Sequence, residues 1–153
     1  MVALSGCTVL DLTDEKGALC VQLLAGMGAE ITRFSLDAEC QQRLRALAPT
    51  ADVLIETFPP GYLSSLGLGY QDLSKANPRL IMASITPFGQ DGLYKDFKAS
   101  DLTLQALGGW MSVTGQPGGP LKLYGDQAYH TASLFAANGV LLALLRRQAT
   151  GRG

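Results

Sequence analysis

Charge is scarce in this sequence and nearly balanced. Twelve lysines and arginines face 13 acidic residues, a net charge of -1, so no long-range field gathers nucleic acid or an anionic membrane. Cysteine is scarce too: Cys7, Cys20 and Cys40 are odd in number and form no CxxC pair. That argues against a disulfide framework or structural zinc and for a reduced, cytoplasmic protein. The N-terminus lacks a basic stretch followed by an apolar run, so no signal peptide is expected. The most apolar segment, 132–145, carries Ser133 and Asn138 and is too short to span a bilayer. It reads as a buried core helix. Neither GxGxxG nor GxxxxGK[ST] occurs, which removes the dinucleotide and Walker fingerprints. There is no internal repeat.

What is present is apolar residue in quantity: 47% of 153 positions, enough for one domain to bury a core. Short apolar runs alternate with helical spacing. "CTVLDL" (7–12) reads as a strand, the polar "TDEKG" as a loop, and "ALCVQLLAGMGA" as a helix. "AEITRFS", "DVLIETF" and "RLIMASI" read as three further strands. Between them, Asp37 to Ala48 forms a polar helix with Leu44, Leu47 and Ala48 on one face, and a short helix from Tyr70 ends at Asn77-Pro78. The turn-rich "TPFGQDGLYKDFKAS" (86–100) reads as a surface loop. A helix over 100–113, a Gly/Pro turn over 114–120 and a helix over 127–149 complete the chain. Strands joined by helical crossovers imply a Rossmann-like α/β domain over 1–153, a parallel sheet with helices on both faces.

Ligands of such sheets collect at the carboxyl ends of the strands, here "TDEKGAL", "ETFPPGY" and "ITPFGQDG". Gly17, at a helix start, could bring backbone N–H groups toward an anion, although on spacing alone it reads as a helix-entry turn. Glu15 and Lys16 read as a solvated loop pair, and "PPGY" as a stiff turn.

The segments "VLDLTDEKGALCVQLLAGMGAEI", "LGLGYQDLSKANPRLI", "FGQDG", "DLTLQALGGWMSVTG" and "AANGVLLALLRRQATGRG" together resemble the N-terminal part of class III CoA-transferases of the CaiB/BaiF type, in the same order over nearly the whole chain. The resemblance implies the larger α/β domain of an enzyme that moves coenzyme A between carboxylic acids, or in some branches racemises 2-methylacyl-CoA thioesters. No metal, redox group or tightly bound cofactor is implied; CoA or acyl-CoA is substrate. It also implies a second domain, an interlocked homodimer or a heteromer with a related chain, and a chain longer than this one, so the sequence reads as a piece of a larger protein. Neither nucleic acid nor membrane is an expected partner. The CoA-binding residues implied are Glu15, Lys16, Gly17, Thr57, Phe58, Gly61, Gly89 and Gln90.

Three departures from the family pattern bear on chemistry. Family transferases attack the thioester with an aspartate, forming a mixed anhydride and then an enzyme thioester. Counting back from "AANGVLLALL" puts Tyr129 at that position, and a phenol cannot form the anhydride. A three-residue slip would offer Asp126, but it turns the side chain about 300° around a helix at ~100° per residue. Asp126 reads first as a helix cap whose carboxylate accepts backbone N–H groups, for roughly 1 kcal/mol. Second, where the racemase branch carries histidine this chain has Ser100, while His130 reads as a partly exposed residue at a helix start. Third, "ENFRPG" of many relatives is "ETFPPG" here, so Thr57 and Pro59 replace an asparagine and an arginine, and the basic loop after Phe34 is missing. Two adenine-nucleotide contacts are thereby lost, while Phe58 and Gly61 can still line an adenine site. Two readings follow: an acyl-CoA transferase-family module with an atypical or external nucleophile, or a noncatalytic module that pairs with or scaffolds an active half. A racemase-like enzyme is the third.

Overall fold

The computed structural model describes residues 3–35 and 38–153, with the side chains of the second helix described from Gln41 onward. In chain order the elements are β1 (Thr8–Leu12), α1 (Ala18–Gly26), β2 (Glu30–Arg33), α2 (Ala38–Leu47), β3 (Val53–Glu56), α3 (Tyr62–Ser65), α4 (Tyr70–Ala76), β4 (Ile81–Ser84), α5 (Asp101–Leu107), α6 (Trp110–Val113), β5 (Gly115–Gln116), β6 (Gly119–Pro120) and α7 (Gln127–Thr150). The four long strands form one parallel sheet in the order β2-β1-β3-β4.

Side chains alternate across a strand, and the two central strands use both faces. Val9, Val53 and Ile55 point to one side, where they meet Cys20 and Leu24 of α1 and Ala137 and Val140 of α7. Leu10, Leu12 and Leu54 point to the other, against Leu44, Leu63, Leu68 and Leu73 of the α2–α4 layer. Burial on both faces explains why these strands read as continuous apolar runs. The chain is thus the α/β sandwich that the alternation of strands and helices implied.

Some local expectations differ. The helix expected over 100–113 is two: Gly109 adopts a left-handed φ of +82°, a conformation costly for other residues, and there α5 stops and α6 begins. The turn expected over 114–120 is a small antiparallel hairpin, β5–β6. Leu44 and Ala48 are buried as expected, but Leu47 is exposed. The helix start at Asp37 lies outside the described residues. Helix α7 reaches 24 residues and is long and apolar enough to cross a membrane by length and composition, beyond what its most apolar stretch suggested. It is not the buried core helix expected over 132–145: one stripe, Ser133, Ala137 and Val140, is buried, Ala137 and Val140 in the core shared with α1 and the sheet, while Leu134, Phe135, Leu142 and Leu145 are exposed.

Candidate functional site

The strand order reverses between β1 and β3, one neighbour lying to each side. Such a switch point opens a crevice at the carboxyl ends of the two strands. On the β1 side, buried Asp11 accepts from the Thr13 backbone N–H at 2.8 Å and the Thr13 hydroxyl at 2.7 Å. Arg33, at the end of β2, reaches Asp11 at 3.7 Å and donates to the Thr13 carbonyl at 3.3 Å. The turn is then tied to β3, because the Asp14 N–H donates to the Thr57 hydroxyl at 2.9 Å. Lys16 Nζ is ion-paired with the Asp14 carboxylate, and the Lys16 N–H donates to it at 3.0 Å. Burial pushes the Asp14 carboxyl up, but hydrogen bonds from Lys16 and Thr57 outweigh it and hold the group below its ordinary range.

An open groove of about 960 Å³ lies over this crevice. Glu15, Lys16, Thr57 and Phe58, implied by the family resemblance, all line it. Gly17 does not line it and acts from behind: a Cβ there would stand 2.7 Å from Thr13 Cγ2 and 2.9 Å from Thr57 Cγ2, so only glycine lets the β1 turn and the end of β3 close up. Thr57 spends its hydroxyl inside the protein on the Asp14 turn. Gly61 and Gln90 sit apart from the groove, in a small cavity of about 110 Å³ beside Glu56. There Gln90 donates to Glu56 at 3.3 Å and accepts from the Gly61 N–H at 3.3 Å. Burial raises the Glu56 carboxyl, with bonds from Ser84 and the Phe58 N–H opposing the shift. Gly89 lines neither cavity and occupies a left-handed turn, with φ of +85°.

Sequence reasoning missed part of the groove. Arg33, Lys95, Phe97 and Lys98 line it, three of them from the segment read as a plain surface loop. Rings of Phe88, Tyr94 and Phe97 pack together there, Tyr94 to Phe97 at 5.3 Å and Phe88 to Phe97 at 6.5 Å. That cluster folds the loop back toward the strand ends. The cation–aromatic run "YKDFK" (94–98), in the loop that leaves β4, was the available signal.

Tyr129 lines a second cavity of about 300 Å³ between α5, α7 and the end of β4. Lys16 and Pro87 line both cavities, so the two adjoin. Partial burial raises the Tyr129 phenol; Lys16 opposes this, and Asp101, Asp126 and Asp14 reinforce it. The phenol is therefore neutral at physiological pH and no nucleophile of the carboxylate kind. Among the described residues no carboxylate lines this cavity. Asp126 stands just before α7, at its cap position, but is exposed and makes no side-chain capping bond, which corrects the expectation drawn from its place in sequence. The cap comes from afar: Asp101 of α5 accepts the Ala128 N–H at 2.8 Å. Asp101 is also bonded by Gln105 at 2.6 Å and paired with Lys122 at 3.0 Å. Ser100 caps α5, accepting from the Thr103 N–H at 3.3 Å, and His130 is exposed.

Comparison with known proteins agrees with this fold. The family model for CoA-transferase family III matches residues 34–153. The chain is 32% identical to the succinyl-CoA:(R)-benzylsuccinate CoA-transferase subunit BbsE of Thauera aromatica, over 95% of this chain and 45% of that protein. It is 33% identical to a formyl-CoA:oxalate CoA-transferase of Streptomyces avermitilis, over 99% of this chain and 46% of that one. The crystal structure of a CaiB/BaiF family protein from Brucella suis superposes with a TM-score of 0.91 at 28% identity, covering 98% of this chain and 51% of that one. The chain belongs to CoA-transferase family III and spans about half the length of the curated relatives it matches. The Thauera alignment runs over 186 positions, more than the 153 residues here, so that relative carries residues without a counterpart in this chain.

Proposed function

We propose that this chain binds coenzyme A thioesters for CoA transfer between carboxylic acids and does not itself supply the nucleophile. The observation that carries the reading is the Tyr129 cavity: it adjoins a ligand-sized groove at the switch point, yet its described lining holds no carboxylate. Arg33, Lys95 and Lys98 are the groove cations outside the Asp14–Lys16 pair, and phosphate oxygens are their natural partners. Phe58 and Phe97 offer ring faces to the adenine base. The three cations stand in for the arginine that Pro59 replaces.

None of the described carboxylates lines the Tyr129 cavity, and Glu15 and Asp96 line the adjoining groove. Asp14 is paired with Lys16 and Asp101 holds three partners, while Asp126 lies outside the cavity lining. The attacking carboxylate then comes from another chain or from a further part of the protein. Leu102 and Leu107 of α5 and Leu134, Phe135, Leu142 and Leu145 of α7 are exposed, an apolar surface suited to such a partner. The second reading, a noncatalytic module that only pairs with an active half, is favoured by the same Tyr129 and by Pro59. Racemisation draws no support from Ser100, whose side chain caps a helix.

Mass spectrometry of the chain incubated with acetyl-CoA tests the reading. The wild type should show no covalent acyl or CoA adduct. Tyr129→Asp places a carboxylate in the cavity and should acquire one; acylation of the wild type would contradict the proposal.

A further inference from the structure

The cavity around Tyr129 differs from the groove in chemistry. Ile85, Leu104, Trp110, Ala132 and Phe135 make its walls apolar, and among the described residues Lys16 is its only charged lining residue. That lysine is already paired with Asp14. Gln105, also in the wall, uses both ends of its amide inside the protein, donating to Asp101 and accepting the Leu123 N–H at 2.9 Å. The Thr86 hydroxyl is different: its oxygen is buried and has no hydrogen-bond partner among the described residues. Buried hydroxyls without partners are uncommon and costly. A rotation of about 120° about χ1 carries a threonine hydroxyl into the place its methyl held, the methyl taking that of Hβ, and Thr86 lines the cavity. The donor can thus be offered to an acceptor that enters.

Resting on the CoA reading of the adjoining groove, we propose that this cavity receives an apolar, uncharged acyl group of about benzoyl size, with Thr86 donating to the thioester carbonyl. About 300 Å³ is at the small end for ligand pockets and suits an aromatic or branched acyl group. A dicarboxylic acyl group would bring a second carboxylate among apolar walls, where the one cation is already spent, and ions are desolvated there without return. Lys16 and Pro87, shared by both cavities, mark the passage between the CoA groove and the acyl cavity.

The test is calorimetric titration of the chain with CoA, benzoyl-CoA and succinyl-CoA. Benzoyl-CoA should bind about tenfold or more tightly than succinyl-CoA, the scale on which apolar pockets discriminate, and more tightly than CoA. The advantage should collapse in Ala132→Phe, which fills the cavity, and shrink several-fold in Thr86→Val, which keeps the shape and loses the donor. The wild-type ratio decides even where a variant folds poorly. Equal binding of all three ligands, or a preference for succinyl-CoA, overturns the acyl assignment and leaves the CoA reading standing. Absence of binding by any of them overturns both.

Discussion

The carboxylate of Asp101 accepts the backbone N–H of Ala128 at 2.8 Å, so the longest helix of the fold is capped by a residue on another helix. The same carboxylate pairs with Lys122 at 3.0 Å and binds Gln105, whose oxygen takes the Leu123 N–H. One buried anion therefore fastens α5, the segment before α7 and the start of α7, and it sets the wall in which Tyr129 stands. Removing it as Asp101→Ala should destabilise the chain by about 1–3 kcal/mol, because the Ala128 N–H and the Gln105 amide lose their acceptor. Asp126→Ala, at the local cap position, should cost no more than about 0.5 kcal/mol. Urea denaturation of the two variants checks both values.

Acid should act through the same anion. Burial pushes the Asp101 carboxyl up, but bonds from Lys122, the Ala128 N–H and Gln105 prevail, and the group titrates below the ordinary 3.8. A carboxyl depressed in the folded state adds stability that is present above its unfolded pKa and is lost as pH falls through the folded one. Asp14 behaves alike. Urea midpoints followed from neutral pH downward should fall on acidification, and less steeply in Asp101→Asn.

Glu56 has the opposite sign. Burial raises its pKa above the ordinary 4.5, so its contribution is intact below that value and is lost as pH rises through the folded pKa. Glu56→Gln should gain stability relative to wild type on going from about pH 4 to about pH 7. A stability difference that does not change with pH would contradict the assignment.

Much of the layered fold was legible because strand and helix periods differ and the two central strands are buried on both faces, so "TVLDL" and "VLIE" announce themselves. The breaks were less legible: Gly109 divides a helix by a backbone conformation that spacing does not reveal. In the groove, Lys16, Thr57 and Phe58 were legible through the family resemblance, whereas spacing alone made Lys16 half of a solvated loop pair. Lys95, Phe97 and Lys98 were less legible, because an aromatic cluster bends their loop over a groove whose other walls come mostly from residues 12–60. The Asp101 cap escaped for a similar reason, since 27 residues separate donor and acceptor and Asp126 sits where a local cap belongs.

Close packing under the groove gives a further prediction. Gly17→Ala brings its new methyl against Thr13 and Thr57 and should cost roughly 1–3 kcal/mol by overpacking. Thr13→Ser, which removes the nearest methyl and keeps the hydroxyl bond to Asp11, should recover part of that loss in the double variant. Thermal or urea unfolding of the three proteins decides it.

The groove cations should be felt through phosphate. Lys95→Ala and Lys98→Ala should each weaken CoA binding about three- to tenfold and flatten its dependence on salt, as loss of a charge contact does. Pro59→Arg should strengthen it. The comparison is made by titration at low and physiological ionic strength.

The central claim is that the groove at the β1/β3 switch point is a coenzyme A site. Calorimetric titration of the wild-type chain with CoA, beside the Pro59→Arg variant, tests it most directly. The account predicts saturable one-to-one binding at about micromolar Kd, near -8 kcal/mol, and tighter binding by the variant. A folded chain that releases no heat with CoA, and gains none from the arginine, would contradict it.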